Sequence, residues 1–154
     1  MSVPPSTHQL AQDALEEHRQ IHFYLDQLAA TLAGMREGLS DVEPMRRLAA
    51  QIEGFMERID EHQHFEERGG LFRAILDALP EARVEISRLI RQHERMNEIL
   101  EMARIHAQRG EASEADGLRV DLERFIGMFR EHERAEERLV EEAIRREREA
   151  DDLL

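Results

Sequence analysis

Apolar residues recur along four stretches of the chain in alternating steps of four and three, the spacing that lines one face of a helix. The first series is Ala11, Leu15, His18, His22, Leu25, Ala29 and Leu32, and the second is Leu48, Ile52, Phe55, Ile59, His62 and Glu66. The third runs through Ala82, Ile86, Leu89, His93, Met96, Leu100, Ala103 and Ala107, and the fourth through Leu118, Leu122, Phe125, Phe129, His132, Glu136, Leu139 and Ala143. Each predicts a long amphipathic helix, and each interrupts its apolar line with histidine. The breaks between them are legible too. Ser6 with Gln9 three positions on opens the first helix, and Gly34 and Gly38 mark its end. Ser40-Asp41-Val42-Glu43 followed by Pro44 is a capping box that starts the second, and Gly69-Gly70 stops it. Leu71 to Leu79 reads as a short apolar helix covering one end of the assembly, ended by Pro80, which also opens the third helix. Gly110 closes that helix. Ser113 with Asp116 starts the fourth, expected to run through Glu147 before a loosely held acidic tail, with Gly127 offering room for close packing.

The series are not independent of one another. Glu61 to Arg68 and Glu131 to Arg138 both read EHxxxEER, and Phe55 and Phe125 each stand seven residues before the histidine. The likeness extends to helix pairs: His18 followed by His62 and Glu66 corresponds to His93 followed by His132 and Glu136, at spacings of 44 and 39 residues. The expected fold is therefore all-α, an antiparallel up-down-up-down four-helix bundle with an internal two-helix duplication. Residues 1–154 form one domain, with a first repeat at about 6–68, a connecting helix at about 71–79 and a second repeat at about 80–149.

Composition narrows the chemistry. The 154 residues are 41% hydrophobic and 36% charged, with one Tyr and no Trp, a balance suited to amphipathic helices. A formal charge of −13 disfavours nucleic acid and anionic lipid surfaces, so neither is an expected partner. No cysteine is present, which removes disulfides, iron–sulfur clusters and thiol catalysis. No basic leader with an apolar run and no stretch approaching a membrane span is found, so a cytoplasmic location is the default expectation.

Positions i and i+4 of a helix lie about 40° and roughly 6 Å apart on one face. HxxxE therefore sets an imidazole beside a carboxylate, at His62/Glu66 and again at His132/Glu136. A buried carboxylate without a partner costs several kcal/mol, and a metal ion would supply the missing charge. One histidine in an apolar seam is usually a hydrogen-bonded core residue. Four of them, one per helix, two with a carboxylate four positions on, point to ligation. His18, His62, Glu66, His93, His132 and Glu136 are expected in one layer. Imidazole with bridging carboxylate suits iron or manganese better than structural zinc, and this many ligands from four helices implies two ions. Iron is preferred over manganese, because vacant positions on such a centre bind dioxygen. His8, His64 and His106 fall off the seams, and Glu67 and Glu137 read as solvated or outer residues.

The order His, HxxxE, His, HxxxE across four helices resembles the hemerythrin-like, or HHE cation-binding, family over almost the whole chain. The resemblance implies a non-haem di-iron centre, oxo- or hydroxo-bridged, with His18 and His62 on one iron, His93 and His132 on the other, and Glu66 and Glu136 as bridges. It implies a ligand such as dioxygen or a related small diatomic or peroxide, in binding, sensing, storage or detoxification. Two departures from the oxygen-carrier pattern stand out. The carrier has a second histidine four residues after the one on the third helix, where Asn97 stands here, and its fourth-helix motif has a longer spacing ending in Asp. In the other repeat the position four after His18 is His22. Exchanging the halves makes His22 a seventh ligand, beside His18 and His62, the alternative being a histidine hydrogen-bonded to a carboxylate. Two function classes follow: an oxygen- or iron-responsive binding protein, and a di-iron oxidase, peroxidase or ferroxidase-like enzyme. Ferritin-like sites use paired ExxH motifs, whereas this chain has one, Glu61 to His64, off the seam.

Overall fold

The computed structural model describes residues 3, 5–36 and 42–153. Among them there are helices and no strand. The long ones are α1 (Thr7–Arg36), α2 (Val42–Glu67), α4 (Arg83–Arg109) and α5 (Ala115–Asp152). The short α3 (Leu71–Ala78) follows α2, and single 3-10 turns at Pro80–Ala82 and Ala112–Glu114 lead into α4 and α5. Local chemistry accounts for the boundaries. Ser6 Oγ accepts from the backbone N–H of Gln9 at 3.1 Å, capping α1. Gly70 (φ 106°), the residue before α3, and Gly110 (φ 65°), which ends α4, adopt the left-handed conformation. Gly38, Ser40 and Asp41, on which the expected end of α1 and the capping box rest, lie outside the described residues.

The four long helices form a bundle in which α1 packs on α2 and α5, and α4 packs on the same two. Two apolar clusters fill it. One joins Ile21 to Leu32 of α1, Met45 to Ile59 of α2, Met96 to Ala107 of α4 and Leu118 to Phe129 of α5. The other joins Leu10, Ala14, Ile86, Leu89, Leu139 and Ala143 to α3, which inserts Leu71, Phe72 and Ile75 against them. On every long helix the histidine lies between or beside the residues of these clusters. Each of the predicted seams of α2, α4 and α5 is buried along its whole length.

Three expectations need correction. On α1 the buried line is Leu10, Ala14, His18, Ile21, Leu25, Leu28 and Leu32, together with Ala11, whereas Leu15 and His22 are exposed and Ala29 is half-buried. The two series share His18, Leu25 and Leu32, and the larger aliphatics Ile21 and Leu28 take the core in preference to His22 and Ala29. Helix α5 continues past Glu147 to Asp152, its last turns carrying Arg145 paired with Glu142 and, at 2.5 Å, with Glu149. A methyl group built on Gly127 meets nothing within 4 Å, so no close packing occurs there. No helix among the described residues is long and apolar enough to cross a membrane.

Candidate metal centre

His18, His62, Glu66, His93, His132 and Glu136 are all buried, and Glu66 at 0% and Glu136 at 2% exposure are sealed from solvent. They fall into two clusters that share both glutamates: His18, His62, Glu66 and Glu136, and His93, His132, Glu66 and Glu136. Within the first, His18 Nε2 and His62 Nε2 stand 3.0 Å apart, and within the second the Nε2 atoms of His93 and His132 are also 3.0 Å apart. That is the separation of two adjacent ligands each roughly 2.1 Å from one ion. The carboxylates are shared oxygen by oxygen. Glu66 turns Oε1 to His62 Nε2 and Oε2 to His93 Nε2, the latter at 3.2 Å. Glu136 turns Oε1 to His132 Nε2 at 2.5 Å and Oε2 to His18 Nε2 at 3.6 Å.

None of these four carboxylate oxygens has a hydrogen-bond partner, although all are buried. Sound native cores leave few such atoms, and four around one point call for cations. The outer faces of the rings agree with this. His62 Nδ1 donates to Glu17 Oε2 at 2.5 Å, His132 Nδ1 to Gln92 Oε1 at 2.6 Å and His93 Nδ1 to Glu67 Oε2 at 3.3 Å. A neutral imidazole that donates from Nδ1 presents a lone pair at Nε2, the arrangement found around bound metal. His18 Nδ1 has Glu133 Oε2 at 3.6 Å and Glu137 Oε1 at 3.9 Å as its nearest carboxylates.

Without metal, protons carry part of the positive charge. Burial opposes charging His62, yet Glu136, Glu17 and Glu66 outweigh it and push its pKa up to about 12. His93 rises to about 10 against the same opposition, through Glu136 and Glu66, and His18 is also raised. Burial and the neighbouring Glu136 hold Glu66 above the usual carboxylate range. Glu136 lies well below it, because contacts with His132, His18, His62 and His93 overcome the burial of its own charge.

His22 does not join either cluster. Its Nε2 lies 2.7 and 2.8 Å from the two oxygens of Glu133, and its side chain is 51% exposed. Position i+4 carries the side chain about 40° further round the helix, here out of the core and onto α5. Asn97, four after His93, does the corresponding thing, exchanging hydrogen bonds of 3.1 and 2.9 Å with buried Gln63. Glu17, Gln92, Gln63 and Glu133 were not singled out by the sequence reading. A signal was there: Glu17 and Gln92 directly precede His18 and His93, and Gln63 and Glu133 directly follow His62 and His132. Of the off-seam histidines, His64 is exposed and His106 pairs with Glu114 at 3.2 Å.

The family signature described as the hemerythrin HHE cation binding domain matches residues 14–144. The chain belongs to the hemerythrin HHE family. No curated protein and no solved structure matches it. The HHE match starts four residues before His18 and ends eight after Glu136, so it spans both histidine–glutamate clusters and α3. Membership and buried His/Glu clusters together make this a metal-binding HHE protein.

Proposed function

We propose that the centre holds two iron ions, one on His18 and His62 and one on His93 and His132, with Glu66 and Glu136 each spanning both. The chain uses them to bind or sense dioxygen or a related small diatomic or peroxide. The observation carrying this reading is the division of each glutamate, one oxygen facing each histidine pair. A single-ion site would gain nothing from that arrangement. Bound iron supplies redox activity and coordination positions that four protein donors leave free. Gln63, Met96, Phe129 and Glu133 line a small void of about 10 Å³ beside His62, His93 and His132, room for about one water-sized group. Glu17, Gln92 and Glu67 fix the imidazole orientations, and His22 holds Glu133.

The same reading includes an antiparallel bundle built by duplication. It is supported by residue order, since numbers rise from the α3 end towards the other cluster on α1 and α4 and fall on α2 and α5. Matched pairings support it as well: Glu17 with His62 answers Gln92 with His132, and Gln63 with Asn97 answers Glu133 with His22.

Protein purified in air is expected to carry close to two irons per chain and a visible absorption band that is lost on reduction and returns on re-exposure to oxygen. Glu66→Gln or Glu136→Gln should lower the iron content, whereas Glu67→Gln or Glu137→Gln should leave most of it. One zinc per chain would sink the proposal. Bleaching with peroxide release or turnover would move the assignment to a di-iron oxidase.

A further inference from the structure

The two halves of the centre are covered differently. On the His93 side, Phe72 of α3 stacks on the imidazole, ring centroids 5.9 Å apart at 16°. On the other half Phe65 stacks on His62, ring centroids 6.5 Å apart at 25°, but no phenylalanine or tyrosine ring among the described residues stacks on His18. A cleft of about 260 Å³ between α1 and α5 opens there instead. Its floor is His18 and Glu136, and its walls are Ala11, Ala14, Leu15, Leu71, Val140 and Ile144. Leu15 is 48% accessible, so part of this aliphatic wall stays in contact with water, and covering it would be favourable.

We propose that this cleft binds a small, neutral, largely apolar organic molecule, its apolar body against those walls and one end against the His18 and Glu136 side of the centre. Size, lining and charge select this class. The volume is several times the ~30 Å³ that one water occupies in the liquid, so a diatomic would leave it mostly empty. The walls offer aliphatic carbon and few polar groups, as small-molecule sites generally do. The mouth is acidic: Glu137 and Glu141 stand at the rim of a chain of net charge −13, opposing an anionic ligand. At the mouth His8 and Gln12 bond each other at 3.2 Å, and no arginine or lysine lines the cleft to hold a carboxylate. The site depends on the helix packing and not on which metal the centre holds.

The probe is 1-hexanol, titrated into the full chain in its metal-loaded form and again after chelation, with methyl chemical shifts as the readout. Saturable shifts confined to Leu15, Leu71, Val140 and Ile144 are expected in both forms. Hexanoate should bind at least roughly tenfold more weakly at low salt, and the difference should shrink at high salt. Leu15→Gln, on a half-exposed residue, should weaken hexanol by about fivefold through lost apolar contact. Ala11→Phe should abolish binding by filling the cleft. Shifts that rise without saturating, or that spread equally to Val84 and Met102, would overturn the proposal. So would hexanoate binding as tightly as hexanol, an unchanged affinity in Leu15→Gln, or a dimer that buries these methyls and ignores hexanol. Failure of the di-iron reading would show in the metal assay and leave the hexanol titration unaffected.

Discussion

Glu66 and Glu136 are carboxylates of one layer, equally sealed from water, yet they titrate in opposite directions. Contacts with four imidazoles hold Glu136 well below the usual carboxylate range despite its burial, whereas burial and the charge of Glu136 raise Glu66 above it. The raised histidines have a definite linkage sign. A histidine whose folded pKa exceeds its unfolded value contributes stability that is fully present below about 6.5. That contribution is lost as pH rises through the folded values, about 10 for His93 and about 12 for His62. Glu136, lowered, contributes above the ordinary carboxylate value and loses its contribution in acid. Metal requires these imidazoles neutral, so uptake must displace their protons. Iron affinity measured against a competing chelator should therefore rise at least roughly tenfold between pH 6 and pH 8, with protons released into weakly buffered solution. A flat profile with no proton release would contradict protonated imidazoles in the metal-free centre. At this scale the sequence was informative where residue type and spacing agreed, as at His62/Glu66. It misled at His22, where two interleaved four-three series were available and the packing of the bundle placed Ile21 and Leu28, with Ala14, in the core in preference to His22, Ala29 and Leu15.

Helix α3 shows how an element too short to persist alone is fixed by what it covers. Eight residues are marginal as an isolated helix, but Leu71, Phe72 and Ile75 are buried against α1, α2 and α5. Gly70 lets the chain turn into it with a positive φ. An end-covering apolar helix was readable from the LFRAILDAL run; the stacking of Phe72 on His93 was not, because it depends on how far α3 lies over α4. Phe72→Ala should cost ~3 kcal/mol of stability in denaturant unfolding, since it removes a buried aromatic. It should also admit water to the His93 side, giving faster loss of metal to a chelator than Phe65→Ala, whose ring is half-buried beside His62. Equal rates for the two variants would mean that Phe72 does not shield the centre. The α5 tail eluded the sequence reading for a related reason: its support is a set of Arg145 ion pairs on an exposed surface, which leaves no apolar period to follow.

Across the whole molecule, the arrangement of a polar layer between two apolar clusters was legible because each seam passes from aliphatic to His/Glu and, on α1, α4 and α5, back to aliphatic in register with its neighbours. What the seams could not reveal was the second circle of groups, Glu17, Gln92, Gln63 and Glu133, since each stands one position off a seam and reads there as surface. The bundle also brings distant parts of the chain together. Thr7 Oγ1, in the first turn of α1, donates to Glu147 Oε1 near the end of α5 at 2.5 Å, across 140 positions. Topologically the chain is then almost a ring, and its two ends are a matter of where that ring happens to be cut. A circular permutant that joins residue 153 to residue 5 through a short Gly/Ser linker and opens between Gly110 and Glu111, at the exposed turn before α5, should keep its helicity and its metal content. A permutant that folds without metal, or does not fold, would show that the order in which the helices leave the ribosome matters to this centre as much as their final packing.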